Sequence, residues 1–203
     1  MGTKGVDINK VLSGKPDSDE IVVNEFTEES AQAFRDKVFE SAKGNPQEPI
    51  VIYIDSYGGE VYSLLAMISE IEASHKPVAT IAIGKAISCG SILLGCGTQG
   101  YRFVDPNATI MIHDVTSGRR GKIEEIKASV KQAERLHKTV LTKLAKQSGY
   151  KDKDFFLKKI TENKHADWYL SPNQAKKLKL VDHIGIPEFK VSLDLNMEFM
   201  ISK

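Results

Sequence analysis

The chain has 203 residues, 41% of them hydrophobic, which suffices for one substantial core but is short for two independent enzymatic domains. Lys and Arg total 28 against 27 Asp and Glu, a formal charge of +1, so no global field gathers polyanions or anionic lipid, and nucleic acid is not expected as a partner. The longest apolar runs, at 50–54 and 92–94, fall far below the ~20 residues of a membrane span, and the start of the sequence lacks the apolar stretch of a secretory signal, so a cytoplasmic protein without a membrane partner is expected.

Residues 1–20 carry turn formers and charges without an apolar period and read as a flexible N-terminal arm. A short strand is predicted over 20–23. Thr27 with Glu28 and Glu29 then opens a helix whose apolar residues Ala31, Phe34, Val38 and Phe39 share one face. After a loop through Gly44-Asn45-Pro46, residues 49–54 are continuously apolar and β-branched, the pattern of a parallel strand covered on both faces. Beyond Gly58-Gly59, the residues Val61, Leu64, Leu65, Met67, Ile68 and Ile71 recur at helical spacing until His75-Lys76-Pro77 breaks the run.

The same unit repeats: a buried strand over 78–83, a turn over 84–87, and a short apolar helix over 88–94 stopped by Gly95 and Gly97. If that segment is helical, Cys89 and Cys96 stand roughly 10 Å apart, too far for a disulfide or a shared metal. Residues 108–112 form another strand ending at His113. The longest periodic stretch runs from Lys122 to about Gln147, roughly 39 Å if helical, longer than the core of a small domain, so it should reach toward a partner. A shorter helix over 154–160, an extended piece over 166–170 and an N-cap at Ser171-Pro172 follow. Alternating strands and helices argue an α/β fold with a mainly parallel sheet.

The chemistry concentrates in a few places. Ser88 follows a strand and opens a helix, with glycines nearby that let a substrate backbone approach; this is a nucleophile's position, and also that of an ordinary N-cap serine. The amides of Cys89 and Gly59, each at a strand-to-helix turn, can converge as an oxyanion hole. His113 closes an apolar strand where clefts of α/β proteins form. Asp167 stands beside Trp168-Tyr169-Leu170, where a buried carboxylate needs a partner.

Taken together, Ser56-Tyr57-Gly58-Gly59, Gly84-Lys85-Ala86-Ile87-Ser88-Cys89-Gly90, the run from Arg102 to His113, Asp167-Trp168-Tyr169-Leu170-Ser171-Pro172 and Leu180-Val181-Asp182-His183-Ile184-Gly185 closely resemble the proteolytic-subunit (ClpP) family of Clp proteases, over about residues 48–186. The resemblance extends to divergent or virus-encoded members. It implies a ClpP/crotonase-like fold of repeated strand-turn-helix units with a protruding long helix. On that basis 21–190 is the peptidase domain, about 114–147 its ring-to-ring handle, and 191–203 a C-terminal tail.

The same resemblance implies a serine endopeptidase with Ser88 as nucleophile, His113 as base, Asp167 as the residue that orients the base, and Gly59 and Cys89 as oxyanion donors. It further implies polypeptide substrates, a homo-oligomer of two stacked heptameric rings (a tetradecamer), and an AAA+ unfoldase that supplies ATP hydrolysis, with no metal or cofactor in the subunit itself. Two places in the chain depart from the family pattern. Tyr57 stands where a proline usually precedes the paired glycines, and His165-Ala166 replaces an acidic and arginine pair that couples the rings to the active site.

Competing expectations are a head-maturation or unfoldase-independent peptidase of the same fold, a Ser-Lys dyad using Lys85, a catalytically silent ring subunit or scaffold, and an acyl-CoA enzyme of the crotonase type. The last does not explain the order of serine, histidine and aspartate.

Overall fold

The computed structural model of the protein describes residues 20–116, 118 and 120–189. The arm expected over 1–20 and the tail expected over 191–203 lie, but for Glu20, outside the described residues.

Among the described residues seven strands build one sheet. Strands β1 (Ile21–Val23), β2 (Ile50–Ser56), β3 (Val78–Ile87), β4 (Arg102–Val104) and β7 (His183–Ile184) lie side by side in that order, all parallel. A parallel sheet needs cover on both faces; Val78–Ala82 of β3 are buried on both, whereas β2 buries Ile50, Ile52 and Ile54 on one face and leaves the other half-buried. Helices α1 (Glu28–Ala42), α2 (Val61–Ala73) and α3 (Cys89–Gly95) supply part of that cover. α1 begins at a capping box, Thr27 with Ser30, has Glu28 and Glu29 in its positive first turn, and buries Phe34 and Val38.

The turn expected at 84–87 is instead the second half of β3. Gly84 adopts a left-handed φ of 69°, and a Cβ there would stand 3.0 Å from Asp55 Oδ1. The strand changes partner at this point: Thr80–Ala82 pairs with β4, whereas Lys85–Ile87 pairs with β5 (Thr109–Ile112). Strand β6 (Trp168–Leu170) then adds antiparallel to β5, with Ile112 opposite Trp168. β4 and β7 were not foreseen as strands; at three and two residues they carry too little periodicity to be read.

Helix α4 (Ile123–Gln147) has the length expected of it, and it is buried only along its C-terminal half, at Leu136, Val140, Leu141, Leu144 and Ala145. Its N-terminal half leaves the apolar residues Ile123 and Val130 exposed. Two short helices, α5 (Phe155–Glu162) and α6 (Pro172–Lys177), complete the order, and α6 starts at a second capping box formed by Ser171 and Gln174. Among the described residues no helix is long and apolar enough to cross a membrane.

Candidate active site

Ser88 sits at the end of β3 and the start of α3 with φ 56° and ψ −119°, a backbone region that non-glycine residues enter only when their surroundings hold them there. The amide of Ser88 donates to the Met111 carbonyl at 2.9 Å, and Ser91 and Ile92 donate to the Ser88 carbonyl. An N-cap serine would accept a bond from its helix. Ser88 makes no side-chain cap bond, and its Oγ lies 2.8 Å from His113 Nε2 instead.

The pairing of β3 with β5 brings these two residues together, because Ile87 is opposite Met111 and His113 follows the end of β5. On the other side of the ring, His113 Nδ1 lies 3.6 Å from Asp167 Oδ1. Asp167 directly precedes β6, so the antiparallel pairing of β5 with β6 sets this second approach. The Asp167 side chain is 54% exposed against 23% for His113. All three residues singled out in the sequence therefore converge.

Gly59 and Cys89 line the same cavity as the serine. Among the described residues neither amide takes part in a backbone–backbone hydrogen bond; that of Cys89 is the first of a helix, and the backbone of Gly59 is held by a parallel bridge to Phe26. Cys89 Sγ donates to the Gly59 carbonyl at 3.2 Å, a direct tie between the two turns. Burial pushes the Cys89 thiol up, against smaller opposing effects of hydrogen bonds with the Gly59 backbone and the Ser88 side chain, so it stays neutral rather than acting as a rival nucleophile. Gly58 donates to Ser56 Oγ at 3.0 Å and has φ 103°; a Cβ there would stand 2.8 Å from the Ser88 Cβ, so the closeness of the turn to the serine requires glycine.

A cavity of about 70 Å³ opens beside Ser88 and His113, walled by Val61, Leu64, Ile92, Ile112, Val140 and Leu141. His137 also reaches it. Burial lowers the pKa of His137, with the charges of His165 and His113 acting in the same sense and Asp114 against, so at neutral pH the cavity meets an uncharged imidazole.

Lys85 does not join the serine. Its Nζ is 2.6 Å from Asp55 Oδ1 and 4.5 Å above the Tyr57 ring, which commits the ammonium to an ion pair and a cation–π contact. Cys96 is also a free, buried thiol, pushed up by burial to about 12.

One group escaped the sequence reading. Asp114 Oδ2 receives His165 Nδ1 at 2.7 Å, and Asp114 Oδ1 lies 3.4 Å from His137 Nε2. The signals were an aspartate directly after His113 and a histidine two residues before Asp167, but nothing local joins residues so far apart in the chain.

Comparison with known proteins places this arrangement in context. A family described as Clp protease matches residues 9–188, which extends N-terminally beyond the 48–186 over which the resemblance is read in the sequence. The chain is also similar to an ATP-dependent Clp protease proteolytic subunit of Deinococcus radiodurans, 34% identical over 140 residues, covering 69% of this chain and 66% of that relative.

Proposed function

This chain belongs to the Clp protease family, and from that premise we propose that it is a serine endopeptidase whose nucleophile, base and orienting acid are Ser88, His113 and Asp167. The observation that carries the reading is the 2.8 Å contact between Ser88 Oγ and His113 Nε2, made by a serine held at a left-handed φ and released from capping.

With Nδ1–H directed at Asp167, Nε2 carries the free lone pair and accepts the Ser88 proton as Oγ attacks a peptide carbonyl. On this reading the carbonyl oxygen gains charge beside the Gly59 and Cys89 amides, each such donor being worth about 10²–10³ in rate. The imidazolium returns its proton to the leaving amine, and water then attacks the acyl-enzyme by the same route in reverse. Nucleophile, base and oxyanion donors all belong to the chain, so the reading calls for no metal or organic cofactor. The apolar walls of the cavity beside Ser88 favour an apolar side chain immediately before the scissile bond.

The proposal extends to assembly. Exposed Ile123 and Val130 on the free half of α4 offer an apolar stripe for a second ring of the same chain, which suits stacked heptamers enclosing the sites. ATP would then be consumed by a separate AAA+ unfoldase that feeds polypeptides in. A second reading, an enzyme silent until its ring assembles, is favoured by one distance: at 3.6 Å the His113–Asp167 contact is longer than a formed hydrogen bond, and Asp167 is half exposed.

Size-fractionated protein assayed with unfolded casein and a short peptide tests both readings. Cleavage is expected in the ring-sized fractions, with folded substrates cut only when an unfoldase and ATP are added. Equal cleavage by monomer-sized fractions would contradict the assembly part, and cleavage in no fraction would contradict a self-sufficient peptidase.

A further inference from the structure

We infer that Asp114 and His165 form a clamp that positions Asp167 against His113, an assignment resting on the triad reading above. The last rung of the β5–β6 ladder joins Ile112 to Trp168. Continuing the antiparallel register by one residue sets His113 against Asp167, and the two segments then close again where His165 Nδ1–H donates to Asp114 Oδ2 at 2.7 Å. A carboxylate is an acceptor only, so the proton of this bond belongs to the imidazole. Asp167 is thus bracketed, by a backbone rung on one side and a charge-assisted side-chain bond on the other.

Two further observations give the clamp work to do. Lys164 and His165 are consecutive non-glycine residues at left-handed φ, 55° and 58°, a conformation that persists only where the surroundings fix it. Among the described residues the Asp167 carboxylate approaches one basic side chain, His113 at 3.6 Å, so its place depends on the segment that carries it. Asp114 also stands 3.4 Å from His137 on α4, whose Nε2 is buried without a hydrogen bond. One carboxylate therefore touches the segment bearing the base, the loop bearing the acid and the long helix. Asp114 and His165 are positioning residues, since neither reaches the reacting atoms.

The test is a double-mutant comparison on the assembled protein, with peptide hydrolysis split into kcat and KM and with fluorophosphonate labelling of Ser88 as a second readout. His165→Ala is expected to lower kcat on the order of 10²-fold, the cost of a small misplacement of a catalytic group, with KM little changed. In an Asp167→Ala background the same change should cost nothing more. His165→Asn should recover most of the rate, because its amide nitrogen can take the place of Nδ1 and asparagine tolerates positive φ. His165→Gly relieves the backbone yet lacks the donor, and should stay slow.

An undiminished kcat in His165→Ala, full recovery in His165→Gly, or an additive loss in the Asp167→Ala background overturns the clamp while leaving the triad intact. Wild-type kcat in Asp167→Ala overturns the triad reading itself, and the clamp falls with it.

Discussion

Ser88→Ala is expected to lower kcat for peptide hydrolysis by about 10⁶-fold, the size of effect seen when the nucleophile of a Ser-His-Asp protease is removed, equivalent to about 8 kcal/mol of transition-state stabilisation. The fold should survive. Ser88 Oγ caps no helix and has His113 Nε2 as its side-chain contact, so the change forfeits one hydrogen bond, about 1.5 kcal/mol or less. Alanine meets the same left-handed backbone as serine, which adds no new strain. The variant should form the same assembly and melt close to wild type in a thermal scan. A residual rate of a few per cent would mean that another group attacks the carbonyl, and Cys89 is a poor candidate because burial holds its thiol neutral.

The second large effect is on stability and sits behind the site. Arg102 and Asp182 form an ion pair at 2.6 Å with side chains only 3% and 20% exposed. The Asp182 carboxylate also accepts from Arg102 Nε and from the amides of Gly100 and Arg102. Arg102 Nη1 reaches the carbonyls of Gly95 and Gln147, at the ends of α3 and α4. This one guanidinium therefore joins β4, the approach to β7, and the C-termini of the helix that opens at Ser88 and of the long helix.

Asp182→Ala would leave that guanidinium buried and unpaired, and is expected to cost about 3–5 kcal/mol in a denaturant titration. The pH dependence has a definite sign. Burial pushes the Asp182 carboxyl up, but the hydrogen bonds and charge of Arg102 with the Gly100 amide outweigh it and hold its pKa below the ordinary value. A depressed folded-state pKa means that the contribution is complete above the unfolded value of ~3.9 and fades as the pH falls through the folded one. The gap between wild type and Asp182→Ala should thus be widest above about pH 4 and narrow on further acidification. A constant gap down to acid pH would show that the loss is one of packing, not of charge.

The parts of this structure that were legible in the sequence share one property: the information lies within a dozen residues. The strand β2, the apolar spacing of α2 and the long period of α4 all emerged as expected, although β2 is fully buried on one face alone. The partner switch in β3 did not, because whether Lys85–Ile87 is turn or strand is decided by its pairing with Thr109–Met111. Gly84 looked like the start of a turn, since a left-handed glycine serves a turn and a bent strand equally well.

The candidate site was legible for a different reason. The order of Gly59, Ser88, His113 and Asp167 along the chain carries a family's pattern even though each residue alone is commonplace. Residues outside that pattern stayed hidden. Asp114 and His165 are 51 positions apart, and Arg102 and Asp182 are 80 apart. No periodicity or spacing rule links side chains at those separations; only the adjacency of β5 to β6 and of β4 to β7 does. His165 was noticed only as a departure from the family, and the structure gives that departure a partner in Asp114.

The most direct test of the central claim is the intact mass of the size-fractionated protein after treatment with a fluorophosphonate, followed by peptide mapping, beside Ser88→Ala and His113→Ala. A single adduct at Ser88, absent from Ser88→Ala and lost from His113→Ala, is the predicted result: a serine activated by its histidine. No adduct in any oligomeric fraction, or an adduct that maps to another residue, would contradict the assignment of Ser88 as the nucleophile.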